Sequence, residues 1–378
     1  MTLEQRHKAG LRWGLLSTAR INQMLIPAIR AAQRAELVAV ASRSPARAEA
    51  YAAKCGIPRA HGSYQALLED PGVDAVYISL PNSLHAEWTV RAAQAGKHVL
   101  CEKPLAITVA ECDQIIAAAE TADVVVAEAV MYLHHPLLHK AREMVQGGAV
   151  GQVRLVRGAF CFYLDRPADV RWDPEMGGGS LWDVGSYPVS FIRWMLGEPE
   201  QVFGWQTLSD SGVDATFAGL LRYGDGVLGV FDSGFRAPFR VQAEVVGTAG
   251  TLTVEEPFPV TPHSRIVLRR GPGEDGQTVE QKLKGVAQRF ATRFPRAASR
   301  ARSALRSLRL SAPKDRGAEI ITLPQVDPYR CEVEALTATV LDGAALPVSL
   351  ARSRANVATL VALYESARRE TPVKIVER

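Results

Sequence analysis

Residues 11–33 read LRWGLLSTARINQMLIPAIRAAQ, and the fold turns on how this stretch divides. RWGLL (12–16) is a short apolar run, and QMLIPAIRAAQ (23–33) carries apolar residues at helical spacing. A strand leading straight into a helix is where dinucleotide-binding proteins keep G-x-G-x-x-G. Here Ser17, Ala19 and Asn22 occupy the three glycine places, with Thr18, Arg20 and Ile21 between them. Ser17 and Ala19 are small enough to let backbone N–H groups approach a pyrophosphate at a helix N-terminus. Ser17 and Thr18 add hydroxyl donors, and Asn22 tolerates unusual backbone angles better than most residues other than glycine. Taken alone, the stretch fits a cofactor loop and a plain strand-turn-helix alike.

Working outward, the apolar runs ELVAVAS (36–42), AVYISL (75–80), HVLCEK (98–103) and VVVAEA (124–129) alternate with helical patterns at 45–56, 63–70, 83–96 and 108–122. Strands alternating with helices predict βαβ units and a parallel sheet. The runs are apolar throughout, as strands covered on both faces must be. After residue 129 the pattern changes. One helix (136–148) precedes runs at 152–164, 201–208, 215–223, 227–235, 239–247 and 251–255, with YGDG and GTAG as hairpin turns. A helix near 180–196 interrupts them, and two more, near 328–342 and 349–370, close the chain. The predicted class is α/β: a Rossmann-type parallel-sheet domain (1–128), then an α+β domain (129–378) with a large, mainly antiparallel open sheet.

Of the 378 residues, 47% are hydrophobic and 22% charged, enough to bury a large core. No run of about 18 apolar residues predicts a membrane span, and MTLEQRHKAG lacks the apolar centre of a signal peptide. The expected location is the cytoplasm. The five cysteines fit no C-x-x-C pattern and read as reduced thiols. Charge is uneven. Residues 281–309 hold nine Lys and Arg and no acid, so the rest of the chain carries a net −5. This segment falls inside an expected insertion, about 264–322, read first as solvated surface and second as a contact for a partner subunit or an anionic substrate. Charge without a recognised fold does not predict nucleic-acid or membrane binding.

The second strand ends in Ser42 and Arg43, where NAD-binding sheets place an acid for the ribose 2′-hydroxyl. An arginine there suits a 2′-phosphate, so NADP(H) is expected ahead of NAD(H). SLPNSLH (79–85) and LCEKPLA (100–106) lie at C-terminal ends of predicted strands, where ligands of such sheets bind. They present Leu80, Pro81, Asn82, His85, Glu102 and Lys103, and Pro104 stiffens the second turn. In GGGSLWDVGSYPVSF (177–191), Asp183 and Tyr187 are four apart and would share a helix face. A tyrosine with its ordinary pKa near 10 is a poor acid-base group at neutral pH; an ammonium such as Lys103 would lower it. Arg171, Trp172 and Tyr163, with Phe162 and Asp165, are candidates for a substrate pocket. His134 and His135 are adjacent and do not readily face one site, and no third ligand has metal-site spacing.

Glu102-Lys103-Pro104, preceded by Pro81-Asn82-x-x-His85 and followed by Asp183 and Tyr187, resembles the glucose-fructose oxidoreductase/inositol dehydrogenase (Gfo/Idh/MocA) family. The resemblance covers about residues 11–260 and resumes in the C-terminal helices. Tyr187 stands where many members have His, which is similar to the branch of the dihydrodiol dehydrogenases. That branch implies Tyr187 as proton donor, with Lys103 and Asp183 beside it. It also implies a hydride exchanged between nicotinamide and a carbinol or carbonyl carbon of a sugar, sugar derivative, or other cyclic polyol or ketone. The loop STARIN occurs in relatives of this branch. Leu133 departs from the arginine many relatives carry after Met-Tyr, which puts a substrate contact there in doubt. The family further implies a homo-oligomer paired through the C-terminal sheet. Two other members of the fold differ in class: a nucleotide-binding regulator without turnover, and a glycosidase using tightly held NAD. The complete Lys103/Asp183/Tyr187 set argues against the first, and the missing ribose-binding acid against the second.

Overall fold

The computed structural model describes residues 10–271 and 317–375. The basic segment 281–309 lies outside them. The first sheet has six parallel strands: β1 (Leu11–Leu16), β2 (Ala35–Ala41), β3 (Arg59–His61), β4 (Ala75–Ile78), β5 (His98–Glu102) and β6 (Val126–Ala129), in the order β3-β2-β1-β4-β5-β6. Between them run α1 (Asn22–Ala31), α2 (Pro45–Cys55), α3 (Tyr64–Leu68), α4 (His85–Gln94) and α5 (Val109–Ala122). The continuous apolar runs have a direct cause. Trp13, Leu15, Ala75, Tyr77 and Leu100 face one core, while Leu16, Val76, Ile78, Val99 and Cys101 face another. Both faces are covered, so successive residues are all buried. Local signals set the helix ends. Ser44 caps α2 and Gly56, at φ 62°, ends it; Thr108 and Glu111 form a capping box on α5.

The order places β1 and β4 side by side at the reversal of the sheet, where α/β sheets open a crevice. The loops after β1, β4 and β5 all emerge at this edge. β3 is only three residues long and half-buried, too short for an apolar run to announce it.

After α6 (Pro136–Gln146) comes the second sheet. Its strands are β7 (Val153–Tyr163), β8 (Gln201–Leu208), β9 (Asp214–Arg222), β10 (Leu228–Gly234), β11 (Arg236–Gly247), β12 (Gly250–Glu255), β13 (Arg265–Arg270), β14 (Ala318–Ile321) and β15 (Val373–Lys374). The order is β14-β13-β12-β11-β7-β10-β9-β8-β15, antiparallel except for the central parallel pair β7–β10. The strands β13 and β14 lie within the stretch read as insertion from 264 to 322. They pair with each other and extend the sheet beyond β12. Leu268 and its neighbours are apolar, but the surrounding arginines mask them in the sequence.

One face of this sheet is packed by α7 (Ser186–Leu196) and by α9 (Leu350–Arg369). The remaining helix, α8 (Pro328–Asp342), crosses back to the first sheet. Its Val333 and Leu336 share a core with Trp13, Leu15 and Leu25. Residues after 129 therefore complete the cover of the parallel sheet as well as building the second one.

Candidate active site

The loop after β1 closes without glycine because side chains do the packing. Ser17 Oγ lies 2.8 Å from Ser79 Oγ and 3.0 Å from the Ser79 carbonyl oxygen. Asn22 donates from Nδ2 to the Ser17 carbonyl at 2.8 Å and accepts from Ser79 Oγ at 2.8 Å. Asn22 is fully buried at the start of α1 and has helical backbone angles. The positive φ, 155°, belongs to Ser17. The third glycine of the motif normally lets helix and strand approach; here the Asn22 amide fills that space and bonds both loops. Ser79 was not singled out in the sequence, and only its place at the end of β4 marked it.

This loop fits a dinucleotide. Helix α1 begins with no side-chain cap and no acid in its first turn. The N–H groups of Thr18, Arg20 and Ile21 donate to nothing among the described residues, whereas that of Ala19 goes to Ser17 Oγ. Free N–H groups at a helix N-terminus are donors for a pyrophosphate. At the end of β2, Ser42 is buried and Arg43 is exposed, with no ion pair among the described residues.

The loops after β4 and β5 are fastened together by His85. Its Nδ1 is 2.7 Å from the Pro104 carbonyl oxygen and its Nε2 2.8 Å from that of Leu80. Burial lowers its pKa, and the two carbonyls only partly offset this. His85 is 1% exposed, so it braces the turn and presents no free nitrogen. Asn82 Nδ2 reaches across to the Gly177 carbonyl at 2.9 Å, tying this loop to the glycine run. The Lys103–Pro104 bond is cis. Glu102 accepts from Tyr77 Oη and, at 3.3 Å, from the Lys103 N–H.

Lys103 Nζ donates to Asp183 twice, 2.6 Å to the backbone oxygen and 3.1 Å to Oδ1. The same ammonium stands 5.0 Å from the centroid of the Tyr187 ring. Arg171 Nε binds Asp183 Oδ2 at 2.6 Å, and its Nη1 binds Asp169 Oδ1 at 3.1 Å. Burial alone would raise the Asp183 pKa, but Lys103 and Arg171 outweigh it and hold the carboxyl at about 2. Residues 181–185 form a wide π-type turn ahead of α7, and such turns free carbonyls from the helical ladder. The Asp183 oxygen accepts from Lys103 and, at 3.2 Å, from Ser186 Oγ.

Tyr187 reverses one expectation. Its ring packs against Tyr132, Phe160 and Phe258, and among the described residues the one hydrogen-bond contact of its Oη is Met131 Sδ, at 4.0 Å. Burial pushes its pKa well above 10, with Tyr329, Glu102 and Asp183 adding to the rise. Lys103 lies over the ring and gives the hydroxyl no hydrogen bond, so burial prevails and the pKa stays raised.

The remaining candidates separate. Arg171 joins the cluster. Trp172 packs edge-on against Phe235 at 5.2 Å, with Arg236 over it, and Phe162 stands against the same Phe235. Tyr163 is 66% exposed at the end of β7, and Asp165 is exposed beyond it. His135 caps α6 and bonds the Val326 carbonyl, while neither nitrogen of buried His134 has a partner among the described residues. Leu133 is buried. Among the described residues, no group of three or more His, Cys, Asp or Glu could hold a metal ion, and no helix is long and apolar enough to cross a membrane.

Sequence reading missed Tyr77, Tyr329 and Glu332. Glu332, on α8, is 1% exposed and neither carboxyl oxygen has a hydrogen-bond partner among the described residues. Burial raises its pKa well above the usual carboxylate range, with Glu102 and Asp327 adding repulsion. Nothing in PYRCEVEAL distinguishes this Glu from an exposed helix residue.

Residues 11–130 match the oxidoreductase family with an NAD-binding Rossmann fold, and residues 138–253 match the GFO/IDH/MocA C-terminal domain. A D-xylose 1-dehydrogenase (NADP(+)) from Haloferax volcanii is 36% identical over 97% of this chain and 100% of its own length. A trans-1,2-dihydrobenzene-1,2-diol dehydrogenase from Danio rerio is 37% identical over 65% of this chain and 74% of its own. The crystal structure of a 3-ketoreductase from Actinomadura kijaniata, in complex with NADP and TDP-benzene, superposes with a TM-score of 0.78. It covers 94% of this chain and 98% of its own at 27% identity. Parallel-sheet fold, uncapped helix behind β1, E-K-P turn and mixed second sheet thus belong together, and the chain is a member of the Gfo/Idh/MocA family of oxidoreductases.

Proposed function

We propose that this protein is an NADP(H)-dependent oxidoreductase that exchanges a hydride with a carbinol or carbonyl carbon of a sugar, sugar derivative or other cyclic polyol or ketone, with Lys103 and Tyr187 moving the proton and Asp183 assisting. The observation that carries this reading is the Lys103 ammonium, tied to the backbone oxygen and Oδ1 of Asp183 and poised over the Tyr187 ring. Arg43, free of ion pairs among the described residues at the end of β2, supports NADP(H) over NAD(H). So do the NADP(+) in the name of the Haloferax volcanii relative and the NADP held by the Actinomadura kijaniata enzyme. The sugar named for the first of these supports the substrate class.

Ser17, Thr18, Ala19, Arg20 and Ile21 would hold the pyrophosphate, Ser42 and Arg43 the adenosine ribose and its phosphate. Leu80, Pro81, Asn82, Glu102 and Lys103 would line the nicotinamide half, with His85 bracing their two loops. Bound there, the nicotinamide would supply or take the hydride. Tyr187 keeps its proton at neutral pH, because burial favours the neutral phenol. It is therefore set to donate that proton to a carbonyl oxygen in the reductive direction. The phenolate left behind faces Lys103, and their attraction grows as the proton departs. Asp183 and Arg171 fix where the ammonium sits. In oxidation the proton returns to Tyr187 from the substrate hydroxyl.

On this reading residues 1–128 form the cofactor domain and 129–378 the substrate domain. Two copies pair through the open face of the second sheet, where Trp205, Leu220 and Leu228 are exposed. A panel of aldoses, ketosugars and inositols, each offered with NADP(H) and NAD(H), tests the assignment. Turnover of a member of the panel with NADP(H) supports it, and cofactor binding without turnover of any would favour a regulator.

A further inference from the structure

The wide turn that presents Asp183 is held from outside its own helix. Asp214, the first residue of β9, is 2% exposed, and its carboxylate takes three donors. Oδ2 accepts from Ser180 Oγ at 2.7 Å and from the Leu181 N–H at 2.8 Å, and Oδ1 accepts from Tyr364 Oη, on α9, at 2.6 Å. Ser180 Oγ also lies 3.2 Å from Ser233 Oγ on β10. No cation pairs with Asp214 among the described residues; it is kept by hydrogen bonds and by the positive end of the helical segment.

The fit is tight. A Cβ at Gly179, whose φ is 116°, would stand 2.2 Å from Asp214 Oδ1 and 2.8 Å from Tyr364 Oη. Gly179 in turn accepts the Asp183 N–H at 3.1 Å. The chain of contacts runs from the Asp214 carboxylate through Ser180 and Leu181 to the turn 181–185, and from Asp183 to Lys103. This turn has no side-chain cap of its own.

We infer that Asp214 is a positioning residue: it clamps the start of the wide turn so that the backbone and side-chain oxygens of Asp183 reach Lys103 together. The inference rests on the Lys103/Asp183/Tyr187 assignment proposed above. If the clamp loosens, Lys103 loses part of its anchor and its ammonium is no longer held in one place over the Tyr187 ring.

The test compares Asp214→Asn, which loses one acceptor, with Tyr364→Phe, which removes a single hydrogen bond and leaves the ring in place. Both are measured in the full chain for NADPH dissociation constant, substrate KM, kcat and thermal midpoint. Expected for Asp214→Asn is a roughly tenfold or larger fall in kcat, with NADPH affinity and substrate KM within about threefold of wild type. Tyr364→Phe should lower kcat the same way by less. A lower thermal midpoint with wild-type kcat in both variants would overturn the inference and leave Asp214 a plain structural cap. If Asp214→Asn does not fold, Tyr364→Phe alone decides, because a wild-type kcat there overturns it. Lys103→Ala serves as control: an active Lys103→Ala enzyme defeats the underlying assignment, whereas an inactive one beside wild-type Asp214 and Tyr364 variants defeats only the clamp.

Discussion

Lys103 Nζ lies 2.6 Å from the backbone oxygen of Asp183, a residue eighty positions away in the turn that leads into a helix of the other sheet. This contact joins the C-terminal end of β5 to the turn before α7 and sets the geometry of the site. Arg171 holds the far oxygen of the same carboxylate.

Asp183 makes the fold acid-sensitive. Its pKa falls from the usual 3.8 to about 2 on folding. The folded state thus binds fewer protons, and the stabilisation is complete above the unfolded value and lost as pH falls from about 4 toward 2. A shift of this size is worth about 2 kcal/mol. Asp183→Asn should be less stable at neutral pH, with a shallower loss over that window in urea titrations. An unchanged acid slope would contradict the ion pairing.

Glu332 acts in the opposite sense. Its folded pKa is raised by burial, so the folded state binds the extra proton. Its contribution is present at low pH and lost as pH rises from the unfolded value through the folded one. Glu332→Gln should therefore gain thermal midpoint over wild type as pH is raised from about 5 to about 9, by about 2–4 °C for each kcal/mol relieved. A constant difference across that range would show that Glu332 has a partner.

Arg43 sets cofactor choice on this account. Removing a charge-assisted hydrogen bond costs roughly 1.5–3 kcal/mol, about ten- to a hundredfold in affinity. Arg43→Ala should weaken NADPH by that factor and leave NADH nearly unchanged in fluorescence titrations. Equal losses for both would place Arg43 away from the 2′-phosphate.

The parallel-sheet half of the molecule was far more legible in the sequence than the Lys103/Asp183/Tyr187 cluster. Continuous apolar strands, E-K-P and P-N-x-x-H are local signals, and each lies in one short stretch. Arg171 against Asp183, Tyr77 against Glu102, and Asp214 against Ser180 are pairings made by the tertiary fold, between residues that no period or motif links. The Tyr187 pKa went the other way for the same reason. The sequence showed a lysine that would lower it, but not the ring of Tyr132, Phe160 and Phe258 that excludes water and raises it. Strand β13 was hidden because arginines flank its few apolar residues, and β14 because it is only four residues long.

The open face of the second sheet carries Trp205 on β8 and Leu220 on β9, which alternate with buried neighbours. Replacing both with Glu should convert a paired species to monomer in light scattering, because a stable interface needs about 1,000 Å² of buried surface. A wild-type chain that is already monomeric would refute the pairing.

The most direct measurement of the central claim is Lys103→Ala, assayed side by side for NADPH binding and turnover on a substrate of the wild type. The expected result is an NADPH dissociation constant within about threefold of wild type and a kcat lower by roughly 10²- to 10⁴-fold. A Lys103→Ala enzyme that turns over at the wild-type rate would contradict it.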